Sequence, residues 1–386
     1  MKRVVFFLSL ICVFLLPHRV DALDNVLAEG AKSSILIEAS TGNIIYENNS
    51  HEKRPPASMT KMMSMLLIVE SIDKGDIKWN DMVTVSENAA SMGGSQILLE
   101  TNEKMSVSDL FKGIAVASGN DAVVAMAEYI AGTEDNFVKM MNEKAQQLGL
   151  KDTSFKNPHG LDAEGHYTSA YDMAMIAKEL VKHEQVFKYT SIYEDYLRKG
   201  TDREIWLVNT NKLVRFYDGV DGLKTGYTKE AGYCLTATAK KDGMRLIAVV
   251  MGEESPKNRN KDVTDMLNYG FNQYHAEGAI TKGTVLGKIE VEKGKKKYVD
   301  VIPKEDVSII NKKSSKKKKV SYDLKLNKVH APIKKNAVVG KAIIIVDGKK
   351  KIKVDVIAKE AIEKANLWQL YTRYLVDIFK GEINFK

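Results

Sequence analysis

The feature that most constrains the fold is a change of pattern near residue 280. Before it, apolar segments long enough to form helices lie between short segments typical of strands. After it, residues 284–354 consist of short runs of alternating hydrophobic and polar residues, separated by lysine-rich turns. We therefore expect two folded units in this 386-residue chain: an α+β domain over residues 23–278 and a small all-β domain over residues 279–358.

The predicted α+β domain combines helices with an antiparallel sheet whose strands come from distant parts of the chain. Two short apolar runs around a Gly turn at residues 32–47 indicate a β-hairpin. The other predicted strands are Gly222–Gly226, Gly232–Ala239 and Arg245–Met251. The predicted helices are Ser58–Ser71, Leu110–Ala117, Ala122–Ile130, Phe137–Leu148 and Ala170–Val181.

Residues 1–22 are predicted to be a secretory signal peptide. A basic start precedes the apolar run Val4–Leu16, and Val20–Ala22 offers small residues at the positions that a signal peptidase recognises. An uncleaved membrane anchor is the alternative, but the run is shorter than the roughly 20 residues that a membrane span needs. Cys12 could indicate a lipoprotein, although the bulky Ile11 before it argues against this. We therefore expect the mature protein to lie outside the cytoplasm.

The net charge of +8 is distributed unevenly along the chain. Residues 282–353 contain 22 Lys, no Arg and 7 acidic residues, an excess of +15, whereas residues 23–281 carry −9. Such a basic module suits an anionic surface, although any single cluster, such as Lys316–Lys319 at a predicted turn, is better explained as a solvated loop. Nucleic acid is not an expected partner, because base recognition depends strongly on Arg.

The tail, residues 359–386, is predicted to be an amphipathic helix. Trp368, Tyr371, Leu375 and Ile378 recur at intervals of three and four residues, with basic residues beside them. Aromatic and basic residues in this arrangement suit the membrane interface, so we expect this helix to attach the protein peripherally to the outer face of the cytoplasmic membrane. The alternative is a helix that packs on its own protein.

Cysteine and histidine usage gives no indication of a disulfide or a metal site. Cys234 is the one cysteine after residue 22, and it lies in a predicted strand, where a buried, unreactive thiol is expected. The histidines are scattered without the spacing of metal ligands. The sequence therefore predicts neither a metal nor another cofactor.

A Ser and a Lys near the first predicted helix have the spacing of a nucleophile and its base. Ser58 follows Pro55-Pro56, and Lys61 returns to the same helix face about one turn later. A Lys amine can activate a Ser hydroxyl if its pKa is lowered enough to make it neutral. This pattern is weak by itself, because Ser-x-x-Lys occurs five times in the sequence and a Ser at a helix start is usually only a cap.

Two further motifs make the first one more specific. Ser118-Gly119-Asn120 interrupts two apolar helical segments, where its side chains could point into a cleft, although an ordinary interhelical turn is the simpler explanation. Lys224-Thr225-Gly226 occurs once, at a predicted strand. The edge of such a strand can pair with an extended peptide and bind its carboxylate, and the Gly allows a ligand to approach the backbone.

In this order the three motifs resemble those of the penicillin-recognising serine enzymes. The chain is similar to the low-molecular-weight penicillin-binding proteins of the peptidase S11 type, which are serine-type D-alanyl-D-alanine carboxypeptidases, and most resembles those of endospore-forming Gram-positive bacteria. The resemblance covers about residues 30–275 firmly and implies a β-lactamase/transpeptidase-like catalytic domain. The stretches that carry it are Pro56–Lys61, Gly94–Gln96, Ala117–Ala122, Asn157–Leu161 and Gly222–Thr228.

The resemblance also implies a role for each matching residue. Ser58 would be the acylated nucleophile, Lys61 its general base, and Ser118 the group that passes a proton to the leaving D-alanine. The implied substrate-binding residues are Asn120, Lys224, Thr225, Gly226, Tyr227 and Arg259. Arg259 is matched by its spacing from Lys224. Backbone N–H groups of Ser58 and Tyr227 would form the oxyanion hole.

The implied reaction is removal of the terminal D-alanine from peptidoglycan stem pentapeptides through a Ser58 acyl-enzyme, with inhibition by penicillins. Three alternatives stay open. The motifs do not choose the acyl acceptor, so the enzyme could be a DD-endopeptidase or transpeptidase. Class A β-lactamases share the motifs but lack the all-β domain and the tail. A non-catalytic envelope protein could bind anionic wall polymers or phospholipid through the basic module. The resemblance further implies a role in sporulation.

Overall fold

A computed structural model describes residues 27–348 and 350–379 of the chain. The predicted signal peptide, with Cys12, lies outside these residues. The first domain contains the strands β1 Ser33–Glu38, β2 Ile44–Asn48, β3 Met82–Thr84, β4 Lys104–Ser106, β5 Glu194–Leu197, β6 Ile205–Val208, β7 Val220–Thr228, β8 Gly232–Lys241 and β9 Met244–Glu253. Its helices are α1 Lys61–Lys74, α2 Glu87–Ala90, α3 Val107–Lys112, α4 Asn120–Ala131, α5 Glu134–Gln147, α6 Ala170–Leu180, α7 Phe187–Thr190, α8 Leu213–Phe216 and α9 Pro256–Gln273.

The main sheet of the first domain is antiparallel and has the strand order β2-β1-β9-β8-β7. Its first two strands form the predicted hairpin, and β1 pairs with β9, about 210 residues later in the chain. The prediction of a sheet assembled from distant segments is therefore confirmed. Strand β7, which carries Lys224-Thr225-Gly226, lies at an edge of this sheet, and β8 is its one partner strand within residues 27–348 and 350–379.

Both faces of this sheet are covered by helices. Along β1, Ile35 and Ile37 face a core shared with α1, α4 and α6, whereas Leu36 faces a second core shared with α9. Strand β1 is buried along its whole length, because a strand with helices on both faces has no polar side. Cys234 on β8 is also fully buried, and burial raises the pKa of its thiol to about 11, as expected for an unreactive cysteine.

Two predicted helix boundaries differ from the structure in ways that matter for the site. Helix α1 begins at Lys61 rather than Ser58, because Ala57 has a left-handed φ of 47° and residues Ala57–Thr60 form a 3₁₀ turn. Helix α3 ends at Lys112 and continues as a π-helical turn, Gly113–Ala117. Such turns widen the helix by one residue and are frequent at functional sites.

The second domain is built from strands, as predicted. They are β10 Tyr274–Ile280, β11 Gly287–Glu292, β12 Tyr298–Pro303, β13 Val307–Lys312, β14 Val320–Leu326, β15 Val329–His330, β16 Val338–Val346 and β17 Lys350–Ala358. Six of them form a sheet of order β14-β16-β17-β12-β11-β15, and β10 pairs with β13. The predicted boundary between residues 278 and 279 falls inside β10, and Lys316–Lys319 lies in the connection between β13 and β14.

The C-terminal helix α10, Leu367–Phe379, is shorter than predicted. A helix from residue 359 is wrong, because residues 359–366 complete the second domain instead. The backbones of Ile362 and Ile333 exchange two hydrogen bonds of 2.9 Å, and the Ile362 side chain is buried in the core of the sheet. Residues 380–386 lie outside the described part of the chain. None of the helices in the described part is both long and apolar enough to cross a membrane.

Candidate active site

The 3₁₀ turn before α1 places Ser58 directly beside Lys61. The Met59 N–H donates to the Pro56 carbonyl, which closes the turn and leaves Ser58 half-buried at its surface. Lys61, the first residue of α1, is completely buried, and its Nζ lies 3.0 Å from Ser58 Oγ. The turn therefore brings the Ser hydroxyl and the Lys amine within hydrogen-bond distance inside a water-poor environment.

Two further oxygens surround the Lys61 amine. Its Nζ lies 2.6 Å from Asn120 Oδ1 and 2.7 Å from the His159 carbonyl oxygen. Burial, and then the positive charge of Lys224, lower the pKa of Lys61 well below its usual value. A neutral amine has two N–H donors and one lone pair. When the amine is neutral, Asn120 and the His159 carbonyl can accept its two N–H groups, which leaves the lone pair to accept the Ser58 hydroxyl proton.

Asn120 is held in the orientation that this arrangement requires. Its side-chain Nδ2 donates to the Gly93 carbonyl at 2.7 Å, so Oδ1 must face Lys61. Its backbone N–H donates to the Ser95 carbonyl at 2.7 Å. The loop between α2 and β4 therefore determines which atom of the Asn120 amide Lys61 meets.

Ser118 lies at the end of the π-helical turn with an unused hydroxyl. Its backbone φ is 65°, in the left-handed region, which ends the turn and separates it from α4. The side chain is buried, and its Oγ has no hydrogen-bond partner among the described residues. A buried hydroxyl without a partner is unfavourable, and this one is free to bond to a substrate or a reaction intermediate.

The edge strand β7 brings Lys224 and Thr225 to the same site. Burial and the nearby charge of Arg259 lower the pKa of Lys224 to about 7, and its Nζ donates to the Thr225 carbonyl at 3.0 Å. The Thr225 hydroxyl donates to Thr210 Oγ1 at 2.7 Å. Arg259 is buried in the first turn of α9, where it donates to Asn260 Oδ1. The spacing argument thus identified an Arg that lies near Lys224.

Gly226 allows β7 to pack closely against the nucleophile turn. A Cβ atom at this position would lie 2.7 Å from the Pro56 carbonyl oxygen and 3.1 Å from the Ala57 side chain. The neighbouring Tyr227 has an exposed side chain that stacks on Tyr233, with 4.3 Å between the two ring centroids. Because the Tyr227 ring lies on the outside of the strand, the part of Tyr227 that can take part in the predicted oxyanion hole is its backbone N–H.

Sequence reasoning missed three groups that complete the site. The His159 carbonyl accepts from Lys61, and the neighbouring Gly160 has a φ of 89° and leaves no room for a Cβ, which would lie 1.9 Å from the Ala57 carbonyl oxygen. Thr210 supports Thr225. The motif Asn157–Leu161 is one of those that carry the family resemblance. Because every residue has a backbone carbonyl, however, the motif cannot show that this one accepts a hydrogen bond from Lys61.

Within residues 27–348 and 350–379, no three His, Cys, Asp or Glu side chains converge as a metal site would require. The groups that the site brings together are a hydroxyl nucleophile, a buried amine, a second hydroxyl, and cationic side chains beside the edge of a strand. This combination is suited to acyl transfer from a peptide that ends in a carboxylate.

Comparisons with known proteins agree with this assignment over both domains. The family model described as D-alanyl-D-alanine carboxypeptidase, peptidase S11, matches residues 22–255, and that described as the C-terminal domain of penicillin-binding protein 5 matches residues 274–364. D-alanyl-D-alanine carboxypeptidase DacF of Bacillus subtilis is 53% identical over 352 residues, which cover 91% of this chain and 90% of DacF.

Solved structures show the same fold. Penicillin-binding protein 5 from Haemophilus influenzae is 34% identical, with a TM-score of 0.67 over 87% of this chain and 98% of that one. The ampicillin-bound form of penicillin-binding protein D2 from Listeria monocytogenes is 29% identical, with a TM-score of 0.57 over 64% of this chain and 98% of that one. The chain therefore belongs to the peptidase S11 family of D-alanyl-D-alanine carboxypeptidases, with a β-lactamase/transpeptidase-like catalytic domain followed by an all-β domain.

Proposed function

We propose that this enzyme removes the terminal D-alanine from peptidoglycan stem pentapeptides through an acyl-enzyme on Ser58. In the first step the neutral Lys61 accepts the Ser58 proton, and Ser58 Oγ attacks the carbonyl between the two D-alanines. The negative charge that develops on the carbonyl oxygen is stabilised by the backbone N–H groups of Ser58 and Tyr227. The resulting ester carries the shortened peptide, and D-alanine departs.

Departure of D-alanine requires a proton on its nitrogen. Ser118 passes this proton from the Lys61 ammonium to the leaving amine, and its free, buried hydroxyl supports that role. Asn120 holds the substrate amide while its Oδ1 keeps the Lys61 amine in place. Water then attacks the ester, and Lys61 acts as base a second time.

The terminal carboxylate of the peptide is bound by Lys224, Thr225 and Arg259. Two buried cations near one another favour an anion between them, and the free edge of β7 can pair with the extended peptide backbone. The substrate carboxylate in turn raises the pKa of Lys224 and keeps it charged. Loss of the carboxylate from the substrate therefore removes most of its binding energy.

The observation that carries this proposal is the environment of Lys61, a buried amine with two N–H acceptors and the Ser58 hydroxyl as its third neighbour. A fluorescent penicillin is expected to label the wild-type protein on Ser58 and to leave Ser58→Ala unlabelled. Incubation with a pentapeptide is expected to release free D-alanine. An unlabelled wild-type protein would refute the enzyme mechanism and favour a non-catalytic envelope-binding role.

The acyl acceptor separates this function from its alternatives. We expect water to be the acceptor, so a pentapeptide with an added amino acceptor should yield mainly tetrapeptide and free D-alanine. A cross-linked product would indicate a transpeptidase, and cleavage of cross-linked dimers an endopeptidase. Rapid turnover of penicillin by the labelled protein would indicate a β-lactamase. The β-lactam class of inhibitor is supported by the ampicillin-bound relative, whose catalytic fold this chain shares.

We further propose that the enzyme is secreted and works at the outer face of the cytoplasmic membrane. The apolar run in residues 1–22 supports export, and the N-terminus of the mature protein is expected to be Leu23. Sequencing of the protein purified from its own cells tests this. A protein that retains Met1 would exclude cleavage.

Helix α10 is the proposed contact with the membrane surface. Leu367, Trp368 and Phe379 are between 71% and 89% exposed, which is unfavourable in water and suits a lipid interface. A chain that ends at Asn366 should stay in solution when mixed with vesicles, whereas the full chain should sediment with them. Replacement of Trp206, an exposed aromatic residue of the catalytic domain, by Ser is the control and should leave sedimentation unchanged. Sedimentation of the shortened chain would refute the anchor.

The role in sporulation is a proposal from the resemblance to carboxypeptidases of endospore-forming bacteria. It predicts that the protein accumulates during spore formation and is scarce in growing cells. Immunoblots across both stages would test it, and equal amounts in both would refute it.

A further inference from the structure

A cluster of partly buried charged side chains lies outside the residues to which the mechanism gives a role. Glu103, which precedes β4, accepts hydrogen bonds from Arg198 Nε at 2.6 Å and from Arg203 Nη1 at 3.2 Å. Arg198 and Arg203 belong to the tip of the β5–β6 hairpin, 95 and 100 residues later in the chain. The Glu103 and Arg198 side chains are only 12% and 10% exposed. Burial alone would raise the pKa of Glu103, but the hydrogen bond and charge of Arg198 outweigh it and lower that pKa.

The two arginines also hold the backbone of the loop before Glu103. Arg198 Nη1 donates to the Ile97 carbonyl at 3.0 Å and its Nη2 to the Leu98 carbonyl at 3.1 Å. Arg203 Nη2 donates to the same Leu98 carbonyl at 2.9 Å. From the other side, the buried carboxylate of Asp121 accepts the N–H groups of Ile97 and Leu99 at 3.0–3.1 Å. The segment 97–99 is thus fixed through its carbonyls by the hairpin and through its N–H groups by α4.

Leu98 shows that this fixation imposes a conformation that the chain would not adopt alone. Its φ is 56°, in the left-handed region that is rare for residues other than Gly, and its side chain is 60% exposed. The Leu98 side chain itself gains no burial from this conformation, whereas the neighbouring Ile97 and Leu99 are buried. The hydrogen bonds from Arg198 and Arg203 to the Leu98 carbonyl add to the Asp121 bonds in holding it, as is typical of strain maintained by its surroundings at functional sites.

The same loop sets the orientation of Asn120. Gly93 and Ser95, two to four residues before Ile97, provide the carbonyls that accept from the side chain and the backbone of Asn120. If these carbonyls move, the Asn120 amide is free to turn, and Lys61 then meets an NH₂ group instead of an oxygen. The amine would lose one of the two acceptors that leave its lone pair for Ser58.

We propose that Glu103, Arg198 and Arg203 form a positioning cluster that holds residues 93–99 so that Asn120 presents Oδ1 to Lys61. The hairpin that carries the arginines is also rooted in the site, because β6 leads directly to Thr210, the partner of Thr225. It therefore connects the Asn120 side of the cleft with the carboxylate-binding side. This inference rests on the proposed acylation of Ser58.

The test compares Arg198→Gln with Asp195→Asn in the full-length protein. Asp195 lies on the same hairpin and pairs with Lys112 on α3 at 2.9 Å, but its carboxylate forms no hydrogen bond or ion pair with residues 93–99. A fluorescent penicillin gives the acylation rate constant and the dissociation constant separately, and thermal unfolding gives Tm. We expect Arg198→Gln to lower the acylation rate constant by about 10- to 100-fold, since small displacements of catalytic groups have effects of this size. Asp195→Asn should stay within about twofold of wild type.

Two further variants separate positioning from general destabilisation. Glu103→Gln keeps the bonds from the arginines to the carbonyls and should cause a smaller loss. Arg198→Lys cannot reach both carbonyls and Glu103 together, so it should recover only part of the rate. Equal rates for Arg198→Gln and Asp195→Asn, or a loss of rate that follows the fall in Tm across all four variants, would overturn the inference. If wild type is not acylated at all, the proposed function itself fails.

Discussion

At the scale of single residues, the environment of Lys61 explains why its motif alone carries little information. Ser-x-x-Lys occurs five times in this chain, but only burial and neighbouring acceptors can make the amine a base. Those conditions come from Asn120 and His159, 59 and 98 residues away. The proposed chemistry therefore depends on Asn120 and His159 as well as on the Ser and the Lys that the motif contains.

The two buried lysines predict the pH dependence of the enzyme. Lys61 must be neutral to accept the Ser58 proton, so kcat/KM should rise with pH through the lowered pKa of Lys61. Lys224 must be charged to bind the substrate carboxylate, so kcat/KM should fall again as pH passes about 7, the pKa of Lys224 in the free enzyme. Initial rates on a pentapeptide between pH 5 and 9 measure this profile.

The variant Lys224→Met provides the corresponding check. Removal of its charge should raise the pKa of Lys61, so the rising limb of the acylation profile moves to higher pH. The falling limb should disappear. A falling limb near pH 7 in the variant would show that another group causes it.

Gly160 is the position where a single methyl group should do most damage to the site. An added Cβ would overlap the Ala57 carbonyl, and the backbone is left-handed, so Gly160→Ala should displace the nucleophile turn. We expect a loss of about 2–4 kcal/mol in unfolding free energy and of most penicillin labelling. The control is Gly149→Ala, which has a similar φ of 72° and nothing within 4 Å, and should lose about 1 kcal/mol. Similar losses in both variants would contradict the packing argument.

At the scale of elements, two neighbouring carboxyl groups lie where β9 meets α9: Glu253 is the last residue of β9, and Asp262 lies in the second turn of α9. Glu253 and Asp262 are buried, and each has a side-chain oxygen that no donor reaches among the described residues. Burial, followed by the nearby Asp262 carboxyl, raises the pKa of Glu253 to about 7. Glu253 is therefore partly protonated near neutral pH, close to the helix turn that carries Arg259.

This pair predicts a stability that falls at high pH. A raised folded-state pKa means that the contribution of Glu253 is complete below its unfolded pKa of about 4.5 and is lost as pH rises through about 7. Glu253→Gln removes the titration and should be about 1–2 kcal/mol more stable than wild type at pH 8 but not at pH 5. Urea unfolding at both values measures this. Glu230→Gln, at an exposed carboxylate, should show no such difference.

At the scale of the whole molecule, the proposed chemistry lies entirely in the first domain. The site residues extend from Ser58 to Arg259, and the second domain begins after α9. The two domains nevertheless share apolar contacts, because Ile310 and Tyr274 pack against the core beneath α9. The second domain therefore supports the first without reaching the reaction centre.

A chain that ends at Gln273 tests this division. We expect it to be acylated by penicillin within about twofold of the full-length rate, because no site residue is removed. Its Tm should fall by several degrees, since Ile310 and Tyr274 no longer cover the core. Rates more than tenfold lower in a chain that still unfolds cooperatively would show that the second domain acts on the site.

Much of the fold followed from local patterns, and the exceptions have physical causes. The hairpin β1–β2 and the strands β7, β8 and β9 follow from short apolar runs bounded by turn residues, and such runs are a property of neighbouring residues. Helix α1 begins three residues later than its local pattern predicts, because the left-handed Ala57 packs against Gly160. The tail helix begins eight residues later than predicted, because Ile362 is held by the sheet that it completes.

The sequence by itself determined the two-domain plan, the chemical groups of the site and their family. These are properties of residue identity and spacing, which can be recognised in the sequence without knowledge of distant contacts. Only the tertiary structure decided that Lys61 is buried between Asn120 and His159, that no described residue bonds to the Ser118 hydroxyl, and that a hairpin about 100 residues away bonds to the Ile97 carbonyl in the loop before β4. Burial and hydrogen bonding join residues far apart in the chain, and they set the pKa and orientation on which the proposed reaction depends.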